Sequence, residues 1–296
     1  MRILRILLVL AAAVLPLRAS AAESAAEPIE FISWNIEWYP GKQRFAKNEA
    51  AEAHAVVVRS ELAKLAPDIL LAQEIRDWEA FAGLCAAVPG LRPAVVSAFP
   101  HEETGEYWGQ QLAIGSRLPL VAAWSEMWKP AEIHPRRGFS AVAIALGGGR
   151  VLLAYSVHLK SNRSNSEEET RLNFRTRDES IRQLIAHVSD MENLLFKGRV
   201  AGVVIGGDFN TNGDGQFGDR VVELLREAGF HHAWEGVPRE KRLTWVGNDR
   251  FEPTTFDHFF TKGLGRPTAE IVQIPEAASD HLPVRLLVQP PASPTE

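Results

Sequence analysis

Five strand-like segments follow one another in the middle of the chain without a helical segment between them, and this succession limits the possible folds most. They span 92–98, 111–115, 120–128, 140–146 and 151–157. Gly147-Gly148-Gly149 separates the last two segments and predicts a tight antiparallel hairpin. Parallel neighbours need a long crossover, usually a helix, so the succession argues against an all-parallel sheet.

Helical segments lie on both sides of this run of strands. Helices are predicted at 48–65, 78–87, 167–196 and 220–228, and further strands at 30–36, 68–73, 201–205, 255–261 and 282–288. The long helix at 167–196 should present an apolar stripe made of Leu172, Ile181, Leu184, Ile185 and Val188. This arrangement predicts a mixed α/β domain in which stacked sheets are covered by helices.

The start of the chain has the pattern of a secretory signal peptide. Arg2 and Arg5 precede an apolar run over 6–17, and Ala19-Ser20-Ala21 offers a small-residue cleavage site. A membrane anchor is the alternative, but the run is shorter than the roughly 20 apolar residues that span a bilayer. We expect export to the periplasm or the medium without stable membrane insertion. The predicted organisation is a signal peptide at 1–22, one domain at 29–289 and a disordered, proline-rich tail at 290–296.

Composition limits the partners and the chemistry. The full chain carries a net charge of −5, and removing the arginine-containing signal peptide makes it more acidic. An acidic protein has no overall attraction to nucleic acid or anionic lipid, so a polyanionic substrate must be held by local cations and a metal. Cys85 is the single cysteine, which excludes an intramolecular disulfide, and its apolar neighbours predict a buried structural thiol. The sequence does not indicate an oligomeric state.

Acidic, amide and histidine side chains recur at the ends of the predicted strands. Each has a simpler explanation by itself, since Asp and Asn are common in turns and a lone histidine is usually structural or solvated. Six predicted strands carry such residues at or near an end, which favours one cleft, because sites are built in loops beyond sheet edges. We interpret His258 as structural, because it alternates with its neighbour across a strand. The residues are Asn35, Glu37, Gln73, Glu74, His158, Asp208, Asn210, Asp257, His258, Asp280 and His281.

Five short motifs carry a resemblance that covers the chain from about Phe31 to Val288. They are Ser33-Trp34-Asn35-Ile36, Ala72-Gln73-Glu74-Ile75-Arg76-Asp77, Tyr155-Ser156-Val157-His158-Leu159-Lys160-Ser161, Gly207-Asp208-Phe209-Asn210 and Ser279-Asp280-His281-Leu282-Pro283-Val284. In this order they resemble the endonuclease/exonuclease/phosphatase superfamily, which includes pancreatic-type deoxyribonucleases, abasic-site endonucleases, neutral sphingomyelinases and inositol polyphosphate phosphatases. The resemblance implies a deoxyribonuclease I-like fold: a four-layer α/β/β/α sandwich of two stacked mixed β-sheets flanked by helices.

The resemblance also implies a divalent-metal site. Glu74 would be the principal ligand, with Asn35 nearby and Asp280 as a further contributor. Mg²⁺ is the implied ion, with Mn²⁺ or Ca²⁺ as alternatives, because such hard cations bind oxygen ligands. Glu37 occupies a place where some members carry a second acidic group, so a second metal site is an open alternative.

The resemblance assigns catalytic roles to five further residues. His281 is the implied base toward water, and Asp257 orients its ring and stabilises the imidazolium. Asp208 orients or activates the nucleophilic water, and Asn210 binds a phosphate oxygen. Being two residues apart on an extended segment, these two side chains should point the same way. His158 would hydrogen-bond the phosphate or protonate the leaving oxygen.

Weaker candidates surround this set. Arg76 matches an arginine that contacts substrate phosphate in deoxyribonuclease-like members, and Lys160 would add local positive charge; the alternative for both is a solvated side chain. Tyr107 and Trp108 are candidates for stacking a base or a sugar, or for plugging the core. The charged stretch 163–177 would be a phosphate-facing rim or, by default, a solvated helix face.

Together these residues predict an exported, metal-dependent phosphodiesterase that cleaves a phosphate ester by histidine-assisted attack of water. A nuclease-like enzyme with nucleic acid as its partner is the first interpretation. A histidine at position 158 favours the deoxyribonuclease and sphingomyelinase branches, because abasic-site endonucleases carry a different residue there. A sphingomyelinase or inositol-phosphate-type phosphoesterase is the alternative, and a noncatalytic binding module with the same fold is an alternative of another class.

Overall fold

The computed structural model describes residues 27–101, 104–107 and 109–291. The predicted signal peptide at 1–22 lies outside the described residues, as do Trp108 and the end of the predicted tail, 292–296. At the start of that tail Pro290 is buried, and the carbonyl of Pro291 accepts a hydrogen bond of 2.8 Å from Arg150. None of the described helices is long and apolar enough to cross a bilayer.

The described chain contains the predicted strands and helices, together with two short strands at 231–232 and 269–271 that were not predicted. In chain order the elements are β1 (Ile29–Tyr39), α1 (Asn48–Leu65), β2 (Ile69–Ile75), α2 (Trp78–Cys85), β3 (Arg92–Val96), β4 (Gln111–Ser116), β5 (Leu120–Met127), β6 (Gly138–Ala145), β7 (Val151–His158), α3 (Glu167–Asp190), β8 (Val200–Asp208), α4 (Val221–Glu227), β9 (His231–His232), β10 (Asp257–Lys262), β11 (Ala269–Ile271) and β12 (Val284–Val288).

The strands form two mixed sheets of six. The first sheet has the order β11-β12-β1-β2-β4-β3, and β1 and β2 are its parallel pair. The second has the order β5-β6-β7-β8-β10-β9, and β7 and β8 are its parallel pair. The predicted hairpin between β6 and β7 is present, with Gly148 and Gly149 at φ of 69° and 73°, a region that suits glycine.

The two sheets pack face to face, and the helices cover their outer faces. The layer between the sheets contains Phe31, Leu71, Ile114, Leu152 and Phe259. Helices α1 and α2 cover the first sheet with Val58, Leu62, Phe81 and Leu84, and α3 and α4 cover the second with Ile181, Leu184, Val188 and Leu225. The four-layer α/β/β/α sandwich implied by the resemblance is therefore confirmed.

The long helix differs from its prediction in two places, at the start of the apolar stripe and at the end of the helix. Leu172 was expected on the buried face but is 49% exposed, because Asn173 and Arg177 occupy the inward face of the first turns. The α-helix ends at Asp190, and a π-helical turn follows at Met191–Leu195. The predicted helix at 167–196 is therefore one α-helix and one π-turn, and its apolar stripe starts later than predicted.

Cys85 is buried at the end of α2, as its apolar neighbours predict. A Cβ atom added at Gly115 would lie 3.1 Å from its sulfur, so the thiol fills space against a strand. Burial raises the pKa of Cys85 to about 12, which keeps the thiol protonated and unreactive.

Candidate active site

Three strands of the second sheet bring three titratable side chains side by side. In the register of β7, β8 and β10, His158 is the partner of Asp208, and Asp208 is the partner of Asp257. All three are buried. Directly paired residues on neighbouring strands project to the same face, so the three side chains share one environment.

The first sheet and the segment before its last strand close the site from the other side. Asn35 Nδ2 donates to Asp208 Oδ2 at 3.0 Å, which links the two sheets. Trp34 Nε1 donates to the carbonyl of His281 at 3.1 Å, and Ser279 Oγ donates to the carbonyl of Asn35 at 2.7 Å. The site is thus built on the seam between the sheets.

A cavity of about 1500 Å³ opens at this seam. Asp257 lies behind its wall, hydrogen-bonded to His281. Arg76 does not line the cavity; it is exposed, and its Nε donates to the carboxylate of Asp77 at 2.7 Å. The other predicted site residues line the cavity: Asn35, Glu74, His158, Lys160, Asp208, Asn210, Asp280 and His281.

His281 and Asp257 form a hydrogen-bonded pair at the cavity wall. Nδ1 of His281 lies 2.7 Å from Asp257 Oδ2, and Nε2 faces Asp208 Oδ2 at 3.9 Å. Burial acts to lower the pKa of His281, but Asp257, assisted by Asp208 and Asp280, outweighs it and raises this pKa to about 10. Because Asp257 accepts the Nδ1–H, a neutral His281 presents the lone pair of Nε2 to the cavity.

His158 lies in the same cavity but in a different electrostatic environment. Its Nε2 lies 3.5 Å from Asp208 Oδ2 and 3.9 Å from Glu74 Oε1. Burial, with the positive charges of Arg137 and His281, holds the pKa of His158 well below its usual value. His158 is therefore a neutral imidazole that can donate one hydrogen bond to a substrate oxygen.

Asp208 and Asn210 form a tight turn at the end of β8. Asn210 has a φ of 53°, and its N–H donates to Asp208 Oδ1 at 2.9 Å. The prediction that they extend along one straight segment is wrong, because the strand ends at Asp208; both side chains nevertheless line the cavity. Burial, opposed by His281 and assisted by Asp257, raises the pKa of Asp208 to about 7.

Glu74 ends the straight part of β2 in a left-handed conformation, with a φ of 62°. Glu37 and Trp38, at the end of β1, also have positive φ values of 37° and 52°. The N–H of Trp38 donates to Glu74 Oε2 at 3.0 Å, and Asn35 Nδ2 lies 3.5 Å from Oε1. Non-glycine residues in this region are strained, and such strain concentrates at functional sites.

Glu37 is already engaged with other groups. Its carboxylate lies 2.9 Å from Lys42 Nζ and accepts a hydrogen bond from the N–H of Asp280 at 3.1 Å. Burial and the charge of Asp280 raise the pKa of Glu37. Because Lys42 neutralises it, Glu37 is a poorer candidate for a second metal ligand than Glu74.

Arg137 was not identified from the sequence, yet it lines the cavity. It has a φ of 69°; Nη2 donates to Gln110 Oε1 at 2.9 Å and Nη1 to the carbonyl of His158 at 3.4 Å. Burial lowers the pKa of Arg137, and Glu74 and Asp208 oppose this shift. Arg137 lies in none of the sequence motifs, and its place in the cavity follows only from these contacts.

Two buried networks fix the loop that carries Asn210. His258 Nε2 lies 2.6 Å from the carbonyl of Thr211, and its Nδ1 lies 2.9 Å from His232 Nε2, so His258 is structural as predicted. Arg177 pairs with Asp219, whose other oxygen accepts a hydrogen bond from Thr211 Oγ1 at 2.8 Å. Within the stretch 163–177, Arg177 is thus fully buried and is part of neither a rim nor a solvated face.

The sequence pattern of the Endonuclease/Exonuclease/phosphatase family matches residues 32–281. This match spans most of the chain, so the protein belongs to that family. It is a hydrolase that acts on phosphate ester bonds, and its family is generally dependent on a divalent metal. Family membership thus argues against the noncatalytic binding module.

Solved structures of low sequence identity share the fold. The human Nocturnin catalytic domain with bound sulfate has a TM-score of 0.64 at 16% identity, covering 88% of this chain and 93% of that one. Beta toxin from Staphylococcus aureus has a TM-score of 0.62 at 17% sequence identity, and the match covers 87% of this chain and 99% of the toxin chain. A mannosyl-6-phosphatase from Bacteroides thetaiotaomicron VPI-5482 has a TM-score of 0.59 at 17% sequence identity, and the match covers 88% of this chain and 99% of the phosphatase chain. No curated protein sequence matches this chain significantly.

The donor set around Glu74 fits a magnesium-type ion. Within the described part of the chain, no three His, Cys, Asp or Glu side chains are grouped as a ready-made metal cage. Mg²⁺ does not need one, since it usually binds one or two carboxylates, several waters and substrate phosphate. The Glu74 carboxylate, with the Asn35 amide beside it, faces a cavity that has room for the waters and the phosphate.

Proposed function

We propose that the protein is an exported, metal-dependent phosphodiesterase that cleaves nucleic acid. The single observation that carries the chemistry is the Asp257–His281 pair, in which Nε2 of His281 lies 3.9 Å from Asp208 Oδ2 at the cavity wall. A base, an orienting carboxylate and a second carboxylate on one wall suit the activation of a water molecule.

The reaction places a water molecule between Asp208 and His281. His281 Nε2 takes a proton from the water as the water oxygen bonds to phosphorus, and Asp257 stabilises the imidazolium that forms. The P–O bond to the ester oxygen on the far side of phosphorus breaks, and that oxygen leaves as an alcohol after taking a proton from solvent. Glu74, with Asn35, would hold the divalent cation. When bound, that cation neutralises the phosphoryl oxygens and lowers the pKa of the neighbouring imidazole.

Neighbouring residues of the same cavity would bind the substrate phosphate. Asn210 and neutral His158 donate hydrogen bonds to non-bridging oxygens, and Arg137 and Lys160 supply positive charge. Burial and the charge of Arg137 lower the pKa of Lys160. This local cationic wall offers an acidic protein a means of holding a polyanion.

The size of the cavity favours a diester over a small monoester. A volume of about 1500 Å³ exceeds what one phosphoryl group fills and accommodates groups on both sides of the phosphorus. Aromatic side chains also line it, among them Trp38, Phe217 and Trp245. Aromatic walls beside a cationic floor are typical of proteins that bind single-stranded nucleic acid.

A substrate panel tests this proposal. The purified chain with Mg²⁺ is incubated with plasmid DNA, single-stranded DNA, RNA, sphingomyelin vesicles and an inositol phosphate, before and after chelation with EDTA. We expect nicking of nucleic acid that is lost with EDTA and restored by Mg²⁺ or Mn²⁺. Release of choline phosphate or of free phosphate instead would replace the nuclease by the sphingomyelinase or phosphatase alternative.

Export is tested separately. The chain with residues 1–22 should be recovered from the periplasm or medium with a shortened N-terminus, whereas the chain lacking them should stay in the cytoplasm. Mass spectrometry of the secreted protein gives the cleavage position. Recovery of an uncleaved chain in the membrane fraction would favour the anchor.

A further inference from the structure

A short hairpin over residues 245–254, called here the rim hairpin, forms part of the cavity wall. At its base, Trp245 N donates to the carbonyl of Thr254 at 2.9 Å, and Thr254 N donates to the carbonyl of Trp245 at 3.1 Å. At its tip, Asn248 N donates to the carbonyl of Phe251 at 2.9 Å, and Asn248 Oδ1 accepts from Phe251 N at 3.1 Å. These bonds give the rim hairpin a defined shape.

The rim hairpin is fixed to the catalytic base. Trp245 Nε1 donates to Asp280 Oδ2 at 3.1 Å, directly before His281. The ring of Phe256 lies between them, 5.6 Å from Trp245 and 6.4 Å from His281, measured between ring centroids. A Cβ atom at Gly247 would lie 2.7 Å from the backbone of the facing strand, so the turn requires glycine. The position of the tip relative to the reacting phosphate is therefore set.

Phe251, at the tip, lines the cavity while 65% of its surface is exposed. In the part of the chain that the structure describes, its ring has no aromatic or cationic partner, whereas Trp245 and Phe256 are packed against each other. Because the backbone of the tip is fixed and the ring is exposed at the cavity edge, the face of the ring is available for stacking.

We propose that Phe251 is the platform of a nucleobase-stacking subsite beside the scissile phosphate. This inference rests on the proposed nuclease function and names the contact that its substrate makes. Base stacking on an aromatic ring needs no sequence recognition, because every base has a π-face. Asn248 and Arg250, exposed on the same tip, are within the same wall and can bond to the edges of a base.

Charge at the tip favours a base over a lipid chain. Asp249, Arg250 and Glu252 flank Phe251 and are exposed. Inserting the tip into hydrocarbon would desolvate all three charged groups, which is strongly unfavourable. A base stacked on one face of the ring leaves them in water.

The test removes the Phe251 ring from the protein and the nucleobase from the substrate, first separately and then together. The substrate is a short single-stranded oligonucleotide with one cleavable phosphodiester, flanked either by normal nucleotides or by an abasic one. We expect Phe251→Ala, or loss of the base, to lower kcat/KM by roughly 5- to 150-fold, the range for one stacked base. The two losses should not be additive, and Phe251→Tyr should keep most of the activity.

Leu194→Ala is the matched control, because Leu194 is 73% exposed and does not line the cavity. Additive losses, or an equal loss on both substrates, would overturn the stacking subsite while leaving the nuclease function intact. Wild-type protein that cleaves no oligonucleotide would overturn both proposals. Loss of sphingomyelin hydrolysis on vesicles in Phe251→Ala, with oligonucleotide cleavage unchanged, would assign the tip to a lipid surface.

Discussion

His281 and His158 occupy the same cavity, yet their surroundings drive them to opposite states. A buried carboxylate, Asp257, lies 2.7 Å from His281 and raises its pKa to about 10. His158 has no such hydrogen bond, and burial, with the positive charges of Arg137 and His281, holds its pKa well below the usual value. The comparison teaches that two buried histidines in one cavity can have pKa values shifted in opposite directions when only one of them has a carboxylate as a direct hydrogen-bond partner.

Removing His281, the proposed base, should have the largest effect. His281→Ala is expected to lower kcat by roughly 10²- to 10⁴-fold, the contribution of a positioned general base. The measurement is steady-state hydrolysis of the best substrate from the panel. His231→Ala is the matched control, since His231 is exposed and does not line the cavity. Turnover near that of the wild type would show that His281 is not the base.

A third histidine extends the comparison to stability. Burial lowers the pKa of His258 to about 4 from 6.5, so the unfolded chain binds this proton more readily than the folded one. Stability is therefore full above about pH 6.5 and should fall by about 3 kcal/mol as the pH drops to about 4. Denaturant unfolding across this range measures the loss.

His258→Gln is the control for this pH effect. Its side-chain amide can still donate to the carbonyl of Thr211, but it does not titrate. The variant should therefore show a shallower decline in unfolding free energy between pH 6.5 and pH 4 than the wild type. Identical slopes for the two proteins would mean that another group causes the decline.

Replacing the neutral member of the pair should have an intermediate effect. His158→Gln removes the imidazole but keeps an uncharged donor of similar reach. A hydrogen bond to a charged oxygen contributes about 1.5–3 kcal/mol, so kcat/KM should fall by at most roughly 10- to 150-fold. A loss as large as that of His281→Ala would contradict the proposal that His158 only donates a hydrogen bond while His281 acts as the base.

Arg76→Ala should have the smallest effect. Its guanidinium is exposed and paired with Asp77, outside the cavity, so kcat/KM should change by about two-fold at most. Arg137→Ala, which removes a cation from the cavity wall, is the comparison variant and should lower kcat/KM by much more. A larger loss for Arg76→Ala would mean that Arg76 contacts the substrate phosphate, as the resemblance implied.

The sequence predicts the elements that carry their own local signal. Helix α1 has the predicted bounds, and the hairpin between β6 and β7 follows from three glycines. The motifs also predict that Asn35, Asp208 and His281 share a site, because they lie at the ends of strands. The extended conformation predicted for 208–210 is wrong, because the left-handed turn at Asn210 depends on hydrogen bonds that form only within the folded loop.

Residues whose role depends on tertiary packing were beyond sequence reasoning. Arg137 lies outside any periodic segment, and its contacts with Gln110 and His158 exist only after three distant segments have packed. The rim hairpin at 245–254 is too short to show strand periodicity. The inward position of Arg177 requires Asp219 as its partner, 42 residues away along the chain.

The bond from Asn35 to Asp208 has a consequence for when the enzyme can act. Each sheet contributes only some of the residues of the site, so the site is incomplete until the two sheets have packed together. Hydrolysis should therefore appear together with complete folding rather than before it. With the export proposed above, in which the chain would cross a membrane before it folds, this delay would spare the phosphate esters of the cell that makes it.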